Sequence, residues 1–246
     1  MSLLLLSKIK RSSKLARIRK YTNLLYYDPN FVNLDMRNVD LVEVDGCKFW
    51  VTDQINSIQR VKGNPWFEKV RSTDVVVDIG ANIGTITIPL AKVARKVYAM
   101  EPLFCNELDA NVKLNNLTNV TTLKCGIGKI CTQRGQKVGL MFSDREERVP
   151  LVSFKTLKKN IGEPIDFLKL DCEGCEWTIE PIELKGIREL RIEFHIQRGK
   201  ARGHKRQYRE YLSWIEAEGY EVHIEQPYIG PNPYDIEDYL VRASLK

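Results

Sequence analysis

Apolar and polar positions alternate from Leu41 to Val51, on both sides of Asp45-Gly46. An Asp-Gly pair between two alternating segments is the turn chemistry of a tight β-hairpin. From Thr73 the pattern changes. Val75 to Ile79 is a short apolar run broken only by Asp78, which fits a parallel strand covered on both faces. Ile83, Ile86, Leu90 and Val93 then recur at helical spacing and predict one apolar helix face. Further strands are predicted at 96–100, 120–124, 165–170 and 186–195, with helices near 104–117 and 153–160 between them. The Gly- and charge-rich stretch 126–148 suggests a small hairpin. Tyr208, Tyr211, Leu212 and Ile215 mark a helix face closed by Gly219, and strands follow at 220–225 and 238–243. Repeated strand–helix alternation predicts a doubly wound, mostly parallel α/β sheet.

The hairpin belongs to an N-terminal extension over residues 21–72, expected to cover one edge of a main domain at 73–246. Near its end, Gly63-Asn64-Pro65 marks a loop and a short helix running from Pro65 towards Arg71. With 246 residues, 43% of them hydrophobic, the chain has enough apolar material for one sizeable core. No run approaches the roughly 18 apolar residues of a membrane span. The run Leu3–Leu6 falls short of a signal peptide, so cytoplasmic residence is expected.

Charge changes the picture only locally. Residues 1–20 hold seven bases and no acid, leaving 31 bases against 32 acids for the rest of the net +6 chain. Such a tail, with Leu3–Leu6, Ile9, Leu15 and Ile18, suits peripheral contact with an anionic membrane or with nucleic acid. Six cysteines in a chain of this length do not make a disulfide framework. Cys172-x-x-Cys175 lacks a second tight pair, since Cys125 and Cys131 have five residues between them, so no metal site is expected; the thiols are read as free and mostly buried, with a Cys172–Cys175 disulfide left open, as intracellular bridges occur in hyperthermophiles.

The candidate chemistry gathers at predicted strand ends, where open α/β sheets bind ligands. Gly80-Ala81-Asn82-Ile83-Gly84 follows the first strand, and Glu101-Pro102 closes the second. A carboxylate placed as Glu101 is can accept hydrogen bonds from the two hydroxyls of a ribose. Neither a G-x-G-x-x-G cradle nor a G-x-x-x-x-G-K-[ST] loop is present to hold a pyrophosphate. A ribose acid without a phosphate cradle points to S-adenosylmethionine, an adenosine derivative that carries no phosphate. Cofactor candidates are therefore Asp78, Gly80, Ala81, Asn82, Gly84, Glu101, Pro102, Cys125, Gly126 and Asp171.

Four ionisable groups follow the fourth and fifth strands: Asp171, Glu173, Glu193 and His195. They are the catalytic candidates, because methyl transfer to a hydroxyl needs an aligned acceptor and a group to remove its proton. His223 is read as structural, and His204 carries no specific signal. Residues 197–209 contain six bases, two glycines and no acid, which suits an acceptor bearing phosphate or carboxylate groups.

Val76 to Gly84, Glu101-Pro102, Asn111 to Asn116 and the run Ile165 to Glu176 together resemble FkbM-type S-adenosylmethionine-dependent methyltransferases. Arg191-Ile192-Glu193-Phe194-His195 resembles that family's fifth-strand segment, and the likeness covers roughly 73–225. The resemblance implies a class I, Rossmann-like methyltransferase with a seven-stranded sheet. It also implies O-methylation of a hydroxyl on a sugar, glycan, lipid or small metabolite. Asp78, Gly80, Asn82 and Glu101 would bind the cofactor, and Asp171 and Glu173 would shape the reaction centre. Cys175 and Cys125-Gly126 depart from the family pattern. The segment from Asp78 to Glu101 also resembles tRNA guanine-N1 methyltransferases, and RNA would suit both basic stretches. Asp171-Cys172-Glu173-Gly174 stands where those enzymes carry an N-P-P-type motif, which favours a hydroxyl acceptor.

Overall fold

The structure, a computed structural model, describes residues 40–51, 58, 67–128, 136–139, 146–196, 208–225 and 238–246. The basic tail, the start of the helix expected from Pro65, residues 197–207 of the basic loop and His204 lie outside them. Strands β1 (Asp40–Val44) and β2 (Cys47–Val51) pair antiparallel across Asp45-Gly46. Both turn residues have positive φ, +48° and +71°, as the tight hairpin turn requires.

The alternating strands and helices then follow in the predicted order. β3 (Val75–Ile79) is buried at all five positions and leads to helix α1 (Thr87–Ala91). β4 (Lys96–Met100) is followed by α2 (Cys105–Leu114), then β5 (Val120–Leu123) and the short β6 (Gly126–Ile127). The hairpin expected within 126–148 is β7 (Gln136–Gly139) paired with β8 (Glu146–Val149). β9 (Leu151–Val152) pairs with β6 and leads into α3 (Phe154–Ile161), whose N-cap Ser153 side chain accepts from Thr156 N. β10 (Phe167–Leu170), β11 (Glu189–His195), α4 (Tyr208–Ala217), β12 (Tyr220–Ile224) and β13 (Asp238–Leu245) complete the order.

Seven of these strands form one sheet in the order β12-β13-β11-β10-β3-β4-β5. The five on one side are parallel, while β13 runs antiparallel to both β11 and β12. Successive strands leave β3 in one direction and β10 in the other, so the order reverses between these two neighbours. A crevice opens at the carboxyl ends of strands at such a reversal. This is the class I methyltransferase fold.

One expectation is corrected. Val93 is 49% exposed, because α1 ends at Ala91 and the chain turns outward before completing the predicted face; Ile83, Ile86 and Leu90 are buried as expected. The hairpin is a two-stranded sheet of its own. It packs Val42, Val44, Phe49 and Val51 against Ile83, Ile88, Leu103 and Phe104 on the helical layer. Two asparagines one turn apart, Asn111 on α2 and Asn115 at its C-cap, hold it there. Asn111 Oδ1 accepts from Trp50 N at 2.6 Å, and its Nδ2 donates to Trp50 O and to Ile83 O. Asn115 makes the same paired contact with the backbone of Lys48. The amides occupy the backbone groups of an edge strand, as a neighbouring strand would.

Candidate active site

Gly80 opens the crevice. Its φ is +80°, and a Cβ built there would fall 1.8 Å from the Asp171 carbonyl oxygen. Only a residue without a side chain lets the loop after β3 touch the loop after β10. Gly80 N and Ala81 N both donate to Met100 O, tying the same loop to the end of β4. Asn82 holds φ +52°, and a Cβ on Gly84 would stand 3.0 Å from Leu108.

Glu101 is buried at the end of β4. Its Oε2 accepts from Asn82 N at 2.8 Å, and its Oε1 accepts from Leu103 N at 2.8 Å and Phe104 N at 3.2 Å. Burial pushes its pKa up, and these three N–H groups only partly oppose the shift. A carboxylate offers about four lone-pair positions, so three are already taken by backbone and the remaining one lies on Oε2. Pro102 follows at the turn into α2, and Cys125-Gly126 line the neighbouring end of β5, half-buried.

Asp78 is fully buried, and the reason is a residue that apolar patterning concealed. Lys169, in the buried strand β10, reaches across with Nζ 3.1 Å from Asp78 Oδ1 and 3.7 Å from Asp171 Oδ2. It also donates to Gly80 O at 2.7 Å, and Asp78 Oδ2 accepts from Thr87 Oγ1 at 2.6 Å. A buried cation between two carboxylates thus braces the floor of the crevice.

On the other side of Asp171, four carboxylates surround one imidazole. His195 Nε2 lies 3.4 Å from Glu173 Oε2, 3.8 Å from Asp171 Oδ1 and 4.0 Å from Glu193 Oε1. Its Nδ1 faces Glu176 Oε1 at 3.0 Å, and its backbone N donates to the same oxygen at 2.7 Å. Glu176 Oε2 accepts from Gly174 N at 2.9 Å. Burial alone would lower the His195 pKa, but the charge and hydrogen bond of Glu176, with Glu193 and Asp171, push it up to about 10. The sequence candidates Asp171, Glu173, Glu193 and His195 therefore meet at one point, and Glu176 is the partner that strand-end reasoning missed. Its only advance signal was its place in the Asp171–Glu176 run. His223 lies apart, exposed on β12 beside Glu221.

The loop between β10 and the turn at Glu176–Thr178 reverses sharply, with φ +60° at Glu173 and +99° at Gly174. This brings the Cα atoms of Cys172 and Cys175 to 5.4 Å, and the two are joined as a disulfide. Of the two states left open for this pair, free thiols and a bridge, the structure has the bridge; spacing alone did not reveal the reversal. Cys47, Cys105 and Cys125 are free.

A crevice at the order reversal of a seven-stranded, mostly parallel sheet whose β13 is antiparallel is the architecture of the class I methyltransferases. The family model for the methyltransferase FkbM domain matches residues 78–222, and the chain belongs to that family. S-adenosylmethionine is the cofactor of these enzymes. Among solved structures, the FkbM methyltransferase of Methylobacillus flagellatus superposes with a TM-score of 0.50 at 15% identity, over 76% of this chain and 47% of that one. An rRNA methylase from Streptococcus thermophilus gives 0.49 at 16% identity, over 74% of this chain and 92% of that one. A curated relative, the probable ribosomal RNA small subunit methyltransferase A of Methanosphaera stadtmanae, is 34% identical over 71 residues, 28% of this chain. The match spans only 26% of that relative's length. Among the described residues, no helix is long and apolar enough to cross a membrane.

Proposed function

We propose that the chain transfers the methyl group of S-adenosylmethionine to a hydroxyl on a sugar, glycan, lipid or small metabolite carrying anionic groups. The observation that carries this reading is the contact between the two loops. Gly80, under the cofactor loop, abuts Asp171, from which the Glu173–Glu193–His195 cluster begins. The crevice suits the cofactor on its own evidence: a cradle that a Cβ at Gly80 or Gly84 would fill, and a lone pair left on Glu101 Oε2 beside it.

In this reading Glu101 accepts from the ribose, and the 80–84 loop bounds the nucleoside with Pro102 and Cys125-Gly126. Asp78 acts indirectly, holding Lys169 and through it Gly80 and Asp171. When bound, S-adenosylmethionine supplies an electrophilic methyl carbon whose bond to sulfur breaks with the electron pair leaving on sulfur. Glu173 takes the acceptor's proton. Its side chain is 38% exposed and so meets an incoming hydroxyl, whereas Asp171, at 9%, and His195, at 4%, sit behind it. The bases of 198–209 draw the acceptor's anionic groups towards this rim.

RNA is the second reading, favoured by the rRNA methyltransferase identity over 71 residues. Tritiated methyl transfer into fractionated extract separates the two. Label in the glycan, lipid or small-metabolite fraction supports the hydroxyl reading, and nuclease-sensitive label supports RNA. Absence of label from every fraction removes both. Neutralising Arg198, Lys200 and Arg202 together is expected to raise the acceptor KM and leave cofactor affinity unchanged.

A further inference from the structure

We propose that β12 is a docking edge for a second copy of this chain, the two sheets joining strand to strand in an antiparallel pair centred on Val222. β12 closes one side of the seven-stranded sheet, and among the described residues its one strand neighbour is β13. No residue of the crevice takes part, so the pairing stands apart from the methyl-transfer reading.

The backbone of β12 sets which groups face outward. Glu225 N donates to Leu240 O, and Lys246 N donates to Gly219 O, so residues 219 and 225 bond towards β13. Bonding direction alternates along an antiparallel strand, which places Glu221 and His223 on the same side as these two. Tyr220, Val222 and Ile224 therefore turn N–H and C=O the other way, where among the described residues no strand meets them. Such a row is a template for another strand. Sheet edges are commonly blunted by proline, lysine or a bulge. Tyr220–Ile224 contains neither residue, and it pairs with β13 in unbroken register.

Charge selects the partner and the register together. Glu221 and His223 share one face of β12, 3.3 Å apart, with side chains 58% and 57% exposed. Pairing two β12 strands about Val222 sets Glu221 opposite His223 of the second copy, and His223 opposite the second copy's Glu221. These are non-hydrogen-bonded positions, where facing side chains stand closest, and opposite charges there are favourable. Acid and imidazole then alternate around the two-fold axis. Centring the pair on Glu221 would set that acid against itself, and centring it on His223 would set Glu221 against Glu225. The Val222 register is thus self-complementary, as a two-fold contact requires. It also uses the whole strand, since Val222 exchanges both hydrogen bonds with its counterpart and Tyr220 does so with Ile224. On the other face it seats Ile224, 49% exposed, beside Tyr220 of the second copy and removes apolar surface from water.

Sedimentation equilibrium of the full chain across a dilution series tests the pairing, and a monomer–dimer equilibrium is expected. Val222→Pro takes away an outward N–H while sparing the β13 ladder, the place where an edge strand tolerates proline. It is expected to weaken association about ten-fold or more. Glu221→Lys and His223→Glu alter exposed side chains, and each alone is expected to weaken association about ten-fold. A one-to-one mixture of these two should regain parental association, because each introduced base then faces an introduced acid across the axis. The charge variants decide the matter if proline also loosens β12 from β13, which urea unfolding would reveal. Amide exchange gives a separate readout. The N–H groups of Tyr220, Val222 and Ile224 should exchange more slowly as concentration rises, while those of Glu221 and His223, already bonded to β13, hold constant. A monomer at every concentration, a dimer that both charge variants leave at full strength, a mixture that fails to pair, or exchange at Val222 that ignores concentration would overturn the proposal.

Discussion

The two sides of the crevice satisfy buried acids by opposite means. On the cofactor side Glu101 is surrounded by backbone, with three N–H groups donating to one carboxylate. On the acceptor side Asp171, Glu173 and Glu193 converge on the side chain of His195, while Glu176 joins that ring to the backbone N–H groups of Gly174 and His195. A site made from backbone is set once the chain folds, and it varies little with side-chain identity. A site made from side chains can be altered one residue at a time. Under the proposed function the first holds the nucleoside of the cofactor and the second meets the acceptor.

Lys169 is the seam between the two sides, and removing it should have the largest effect. Lys169→Met leaves the fully buried Asp78 without its cation and frees Gly80 O. Breaking a buried pair in this way costs about 3–5 kcal/mol. Urea unfolding is expected to show the loss, together with weakened S-adenosylhomocysteine binding. Parent stability in the methionine variant would mean that the crevice floor holds without the brace.

The Cys172–Cys175 bridge tests the acceptor side alone. It closes a very short loop, so replacing both cysteines with serine should cost about 2 kcal/mol by the chain-entropy account. S-adenosylhomocysteine affinity is expected to stay at the parental value while methyl transfer slows, because the bridge shapes the loop bearing Asp171 and Glu173. A loss of S-adenosylhomocysteine affinity as large as the loss of methyl transfer would show that the two sides are not independent.

Backbone and side-chain determinants also differ in how far the sequence discloses them. The runs at 75–79 and 96–100, the Asp45-Gly46 turn and the strand-end positions of Asp171, Glu193 and His195 were all legible. Each follows from local periodicity or from the rule that ligands bind at strand ends. Lys169 was hidden because a lysine between Leu168 and Leu170 reads as one exposed position of a strand; its burial depends on Asp78, 91 residues earlier in the chain. Glu176 and the disulfide were hidden because both depend on two consecutive positive-φ residues that no spacing rule signals. The hairpin itself was legible, but its seat on α2 was not, since Asn111 and Asn115 pair with backbone rather than with a complementary side-chain pattern.

Glu101→Gln sharpens the cofactor side. The amide retains one oxygen acceptor, so one or two of the three backbone hydrogen bonds persist and an N–H₂ group faces the rest. Affinity for S-adenosylhomocysteine is expected to fall about ten-fold, equivalent to roughly 1.4 kcal/mol, which is the range for an unmade buried hydrogen bond. Unaltered product affinity would remove Glu101 from the nucleoside site.

The smallest expected effect is the pH response of the same residue. Burial raises the Glu101 pKa in the folded chain above its ordinary 4.5. In the window between 4.5 and that raised value, the folded state holds a proton that the unfolded state has released. Stability therefore falls as pH rises through the window and is recovered as pH drops through it, the opposite of a carboxylate whose pKa folding depresses. Glutamine at 101 has no such proton. The stability difference between parent and Glu101→Gln should accordingly shift in the parent's favour as acidity increases towards pH 4.5, measured by urea unfolding at matched ionic strength. A difference that stays flat, or moves the other way, would mean that the three N–H groups outweigh burial and hold this carboxylate ionised throughout.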